Sequence, residues 1–257
     1  MEDNEKRNEA VEEKEKENVD ELKDVENSED ETVHSENKKS FRWLRIIIIA
    51  LIQVLLMLYI TLWIIYEGAS STMEKKPIIY IYPEEEQEVK VTLLDKDLLT
   101  CSYPKYEKGW DVIAKPNGDL VDLSTGNKLY SLYYESNCKE DYKVKDEGFC
   151  VKKEDIVSFL EEKLEILGLN YKEKEEFIVY WLPQLEKYDY VYIRFADENE
   201  ISKNMGLGID PKPDTLIRVM MVWKGLNNSM DVKEQELDEV YREGYTVVEW
   251  GGAEIND

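Results

Sequence analysis

Histidine is almost missing from this 257-residue sequence: the one example, His34, lies in a polar N-terminal stretch. Everything after residue 67 therefore lacks the parts for a His-containing zinc site, a Ser-His-Asp triad or a Cys-His dyad. Cysteine is scarce too. Cys101, Cys138 and Cys150 make an odd number, with no C-x-x-C pair among them. Cys138 and Cys150 flank a polar loop; bridged in an oxidising compartment they would contribute about 3 kcal/mol through loop entropy. A pair of free thiols is the equal alternative, and Cys101 stays unpaired either way. Net positive charge is absent: 33 Lys and Arg stand against 57 Asp and Glu, a balance of −24. Residues 1–45 hold −7 of this and the residues after 66 hold −17. Such acidity repels nucleic acid and anionic lipid head groups, so no nucleic-acid partner is expected. The acidic runs Asp95-Lys96-Asp97 and Asp197-Glu198-Asn199-Glu200 lack the glycine and terminal glutamate spacing of an EF-hand. No metal and no cofactor are expected.

Charge is missing altogether from Ile46 to Tyr66, where only Gln53 and Thr61 interrupt an apolar run. Twenty-one residues at about 1.5 Å each give roughly 31 Å, the thickness of a hydrocarbon core. In lipid the backbone must satisfy itself, and a helix does so. Trp43 on one side, and Trp63 with Tyr66 on the other, fall where interfacial aromatics belong. The segment is expected to span the bilayer, making the membrane a partner through residues 46–66. Lys38, Lys39, Arg42 and Arg45 precede it, and Glu67 follows. The positive-inside rule then places residues 1–45 in the cytoplasm and the rest outside the cell membrane. Gly68-Ala69-Ser70-Ser71 offers small residues for signal-peptide cleavage, but the apolar run is longer than a usual signal core and the preceding tail is long. An uncleaved signal-anchor fits better.

The flanking regions differ in kind. Residues 1–40 contain no aromatic residue and few apolar ones, the composition of a disordered acidic tail. Residues 67–75 read as a juxtamembrane linker. Residues 76–257 have the composition of a single folded domain. There Ile78–Tyr82 forms a short buried strand with Glu88–Leu93 as its expected partner. A meander follows over Trp110–Ala114, Leu120–Leu123 and Lys128–Tyr134, joined by Lys115-Pro116-Asn117-Gly118 and Ser124-Thr125-Gly126-Asn127 turns. From Glu154 to Leu167 the apolar period becomes helical, ending at Gly168. Asn170 with Glu173 resembles a capping box that opens a second helix, which Pro183 is expected to close. Tyr190–Phe195, Leu216–Val222 and Thr246–Trp250 return to strand. The order indicates an α+β fold: one membrane-spanning helix, then one mixed domain with a β-meander, two central helices and C-terminal strands.

Six segments recur in order in an uncharacterised bacterial family of Firmicutes type, which the chain resembles. They are KPIIYIYP (76–83), YPKYEKGWDVIAKPNGDL (103–120), FLEEKLEILGL (159–169), EEFIVYWLP (175–183), PKPDTLIRVMMV (211–222) and VVEWGG (247–252). The resemblance implies one domain over 76–252 and no known activity, so it assigns no site residue.

Without histidine, catalysis in the domain would fall to carboxylates, Tyr, Lys, Cys or a metal. Glu135 and Glu249 each sit beside aromatics at a strand end, as the acid and its partner do in a glycosidase; equally, each is a structural acceptor paired with arginine. Asp214 and Arg218 would form either an anion clamp or a salt bridge fixing a loop. Trp110, Tyr130, Tyr133, Tyr134, Tyr180, Trp181 and Trp250 are either core or the lining of a carbohydrate or peptide groove. Trp110, Tyr134, Asp214, Arg218 and Trp250 are thus the candidate ligand-binding residues. The expected function is a non-catalytic, membrane-anchored domain binding an envelope glycan or protein. The alternative is a carboxylate-dependent hydrolase of envelope glycans.

Overall fold

The computed structural model describes residues 43, 45–63 and 72–255. The acidic tail, Ile64 to Tyr66 of the expected span, and most of the expected linker lie outside these residues. The chain divides into two units, residues 1–69 and 70–257.

In the first unit, α1 (Arg45–Trp63) is long and apolar enough to cross a membrane, and none of it is buried against protein. Thr61 Oγ1 donates back to the Leu58 carbonyl, 2.9 Å away, so the hydroxyl is satisfied within the helix.

The second unit is α+β. Its larger sheet contains, in spatial order, β12 (Lys233–Glu234), β8 (Glu147–Lys152), β9 (Tyr190–Phe195), β11 (Thr215–Leu226), β13 (Thr246–Glu254), β1 (Met73–Tyr82), β7 (Leu132–Asn137) and β3 (Leu99–Tyr103). Neighbours are antiparallel except β11 with β13 and β12 with β8. A five-stranded antiparallel sheet carries β10 (Leu207–Asp210), β2 (Gln87–Leu93), β4 (Trp110–Ala114), β5 (Leu120–Asp122) and β6 (Lys128–Leu129). The helices α2 (Ile156–Ile166), α3 (Tyr171–Leu185) and α4 (Glu198–Asn204) complete the unit.

Strand alternation splits the residues of the larger sheet between its two faces. Ile78, Ile193, Val219, Met221, Val248 and Trp250 meet Ile156, Leu160, Leu164, Phe177 and Trp181 of α2 and α3. On the reverse face Ile79, Ile81, Leu132, Tyr134 and Val247 pack on Val89, Val91, Trp110 and Val112 of the smaller sheet. The expected pairing of β2 with β1 is therefore corrected. β1 pairs with β13 and β7, while β2 pairs with β4 and β10. Alternation identifies a strand and its buried face, but the two apolar rows meet face to face across the sandwich instead of edge to edge.

Local signals hold at the turns and caps. Gly118, at φ +88°, donates to the Lys115 carbonyl, and Asn170 accepts from the Lys172 and Glu173 amides in a full capping box. Pro183 does not close α3, which continues to Leu185. The carbonyl that proline leaves without a donor belongs to Val179, whose residue is 68% exposed, so water can serve it. β1 also begins earlier than expected, at Met73, inside the charged stretch read as linker. Register shifts between Lys75 and Ile78, where Lys76 adopts φ +60°, mark a bulge. The extra residue changes the strand's parity and places Glu74 inside the protein.

Candidate functional site

Glu249 lies on β13 beside Arg218 of β11 in the parallel register. Both side chains are buried, and Arg218 Nε donates to Glu249 Oε2. Tyr134 on β7 donates from its hydroxyl to Glu249 Oε1 at 2.7 Å. The rest of the guanidinium is also used: Nη1 donates to Glu198 Oε1 at 3.3 Å and Ser202 Oγ at 3.1 Å, and Nη2 to the Met205 carbonyl at 2.9 Å. Burial opposes the charge of Arg218, but Glu249 beside it holds the guanidinium pKa above its ordinary value. Burial, with Glu249 and Glu74 nearby, raises the Tyr134 hydroxyl far above the normal phenol range. It is a fixed donor.

Glu74 extends this network along the same face. Tyr142 donates to its Oε1 at 2.6 Å and Ser136 to its Oε2 at 3.3 Å. Burial pushes its carboxyl up to about 7; the Tyr142 hydrogen bond and Arg218 act against this rise, and Glu249 adds to it. No motif pointed to Glu74, because Met73-Glu74-Lys75-Lys76 has the composition of a linker. A second buried arginine, Arg194 on β9, bonds both oxygens of Glu200 at 2.9 and 3.0 Å. Burial alone would raise Glu200, but hydrogen bonds from Lys145 and Arg194 hold it down at about 2.

The proposed carboxylate pair is not brought together. Glu249 shares a face with Tyr134, so its neighbour in sequence on β7, Glu135, points to the opposite face. There burial, with Glu135 beside it, raises the Tyr133 hydroxyl above the ordinary phenol value. The sheet stands between them, and no open cleft holds both as a glycosidase needs. Asp214 and Arg218 do not pair either. Asp214 Oδ2 accepts from the Tyr245 amide at 2.9 Å and fixes the start of β11. Trp110, Tyr134 and Trp250 are core residues rather than groove lining; the Trp110 indole donates to the Pro104 carbonyl at 2.9 Å. Cys138 and Cys150 are free thiols, and Cys150 Sγ accepts from the Met230 amide at 3.2 Å. Among the described residues no group of three or more metal-ligating side chains is assembled.

Surface clefts lie elsewhere. One, of about 570 Å³, opens between β8, α2 and residues 230–234, with Lys163 at its wall. Another, of about 720 Å³, lies between α2 and α3 and is lined by Glu161, Glu162, Glu165 and Glu175 with Tyr171 and Val179. Cys150 lines the first, and neither contains a candidate catalytic or ligand-binding residue. The tyrosines behave differently: Tyr103 and Tyr130 are exposed, and Tyr133 and Tyr180 are half-buried.

No protein-family model matches the chain, and neither a curated protein nor a solved structure aligns with it significantly.

Proposed function

We propose that this chain is a single-pass membrane protein, of the bacterial type its motifs resemble, with residues 1–45 in the cytoplasm. Its folded domain is extracytoplasmic, non-catalytic and binds an envelope ligand or partner. One contrast carries the reading. Glu249, one of the two candidate carboxylates, is committed to Arg218 and Tyr134 inside the core, while Tyr103 and Tyr130 face solvent. Charged groups are spent on holding the fold, and groups suited to recognition lie at the surface. The long apolar helix α1 supports anchoring. The basic residues Lys38, Lys39, Arg42 and Arg45 before it support the orientation.

Protease added to intact protoplasts should degrade the domain and spare the tail, and alkaline carbonate should leave the chain in the membrane pellet. Degradation of the tail alone, or release into the supernatant, overturns the topology. The full chain in lipid nanodiscs, screened against an array of envelope glycans and peptides, should retain a defined subset. No retention of any overturns the binding role.

A further inference from the structure

We propose that the chain pairs with a second copy of itself in the membrane, α1 against α1, through a stripe of Ala50, Gln53, Met57 and Thr61. This rests on the membrane anchoring proposed above and adds a partner to it. Gln53 carries the argument. It stands close to the middle of residues 46–66, about 5 Å from it along the axis, so the nearer interface is about 10 Å away. A glutamine side chain does not reach that far. Its amide has two N–H donors and a carbonyl acceptor, and none of them makes a hydrogen bond among the described residues. In α3, Gln184 donates to the Tyr180 carbonyl one turn back, at 3.0 Å. The same bond at Gln53 would still leave one N–H and the carbonyl bare. Hydrocarbon offers no water to take them, so the partner has to come from another helix.

The stripe suits a helix as its cover. At about 100° per residue, Ala50, Gln53, Met57 and Thr61 fall within about 80° of the circumference. All four are exposed, and with Val54 and Leu58 they border a groove of about 510 Å³. Ala50 has the smallest side chain in α1, and a small residue lets two backbones approach closely enough for glutamines to bridge them. Thr61 keeps its own hydroxyl on the Leu58 carbonyl and adds no further polar demand. Tyr59 lies on the opposite side and nearer the Trp63 end, where its long ring carries the hydroxyl toward the interface. A second copy is the partner that fits without a further condition. On the topology proposed above every copy inserts the same way round, so two Gln53 side chains meet at one depth in a parallel two-fold pair. Each amide both donates and accepts, so the two satisfy each other. Any other partner needs a polar group placed at that depth independently. The residues after 66, at −17 in each copy, repel one another, which leaves the attraction to the helix.

The test uses the full chain, labelled at its N-terminus with donor or acceptor dye and reconstituted in phosphatidylcholine vesicles. Energy transfer between copies is followed as lipid is added. Transfer should persist on dilution and fall when excess unlabelled chain competes. Gln53→Leu should weaken association about tenfold, and Gln53→Asn, which keeps an amide, should restore most of it. Ala50→Leu fills the groove and should weaken it too, whereas Tyr59→Phe on the opposite side should change nothing. These substitutions lie in a unit separate from the folded domain, so the domain's circular dichroism should be unaltered. Chain that stays in the alkaline carbonate pellet yet shows no transfer beyond random proximity overturns the inference and leaves the anchoring standing. Transfer that Gln53→Leu leaves unchanged also overturns it, because the contact then lies elsewhere. No transfer between copies, with Gln53-dependent crosslinking to a different membrane protein in native membranes, overturns the second copy as partner. Release of the chain by carbonate overturns the anchoring, and the inference with it.

Discussion

The two faces of the larger sheet are both buried, but they are built from different materials. Toward α2 and α3 the sheet's side chains are mostly aliphatic or aromatic, interlocked around Phe177, Trp181 and Trp250, with one buried ion pair, Glu173 of α3 with Arg242, at the start of that helix. On the reverse face the apolar rows of the sandwich give way to Glu74, Tyr134, Arg194, Arg218 and Glu249, each with a buried side chain and each hydrogen-bonded. An apolar face is stabilised by area and tolerates substitutions that conserve volume. A face of paired charges is stabilised only while every partner is present, since desolvation of each ion is repaid by its neighbours alone. The comparison teaches that the reverse face specifies one arrangement of strands and depends on it completely.

Arg218 gives the sharpest way to break this contrast. Arg218→Ala strands a buried Glu249 carboxylate and is expected to destabilise the domain by about 3–5 kcal/mol. Exchanging both partners, Arg218→Met with Glu249→Leu, should recover most of the loss. Leu164→Ala on the helical face should cost about 2–5 kcal/mol with no partner change able to restore it. Denaturant unfolding of single and double variants measures both, and additivity at Arg218 and Glu249 would dissolve the distinction.

The pH response separates two sites of the reverse face next. Glu74 sits at about 7 in the folded protein, above the ordinary 4.5, so the folded state binds more protons than the unfolded chain between those values. Its contribution is full below pH 4.5 and is lost as pH rises through 7, by about 3 kcal/mol in all. Glu200, held at about 2, works in the other direction: its contribution is present above the ordinary value and is lost as pH falls toward 2. Glu74→Gln should flatten the decline between pH 5 and 8 and leave the acid limb unchanged. Unfolding midpoints across that range decide it.

The smallest effect belongs to the helical face. Asn170→Ala removes the acceptor for two amides at the start of α3 and should cost about 1 kcal/mol at any of these pH values. A pH-dependent loss would mean that this cap is coupled to the charged network.

Where local rules act alone, the residues announced their structure. The Asn170–Glu173 cap, the Gly118 and Gly126 turns and the stripe through Ile156, Leu160 and Leu164 follow from contacts three or four residues apart. The candidate site was less legible. Asp214 and Arg218 look paired in a linear reading, yet four residues along a strand span about 13 Å. Arg218 instead meets Glu249, 31 residues later, because β11 and β13 run parallel. Glu74 was hidden by its charged neighbours, and only the bulge at Lys76 turned it inward.

By itself the sequence determined an uncharged helix fit for a bilayer, an acidic domain without histidine chemistry, and most of the strands and helices. These depend on composition and short-range periodicity. Only the tertiary structure decided which carboxylates are buried with arginine and which tyrosines remain in solvent. Strand order and register join residues far apart in the chain, and a single bulged residue reverses the face that a side chain occupies.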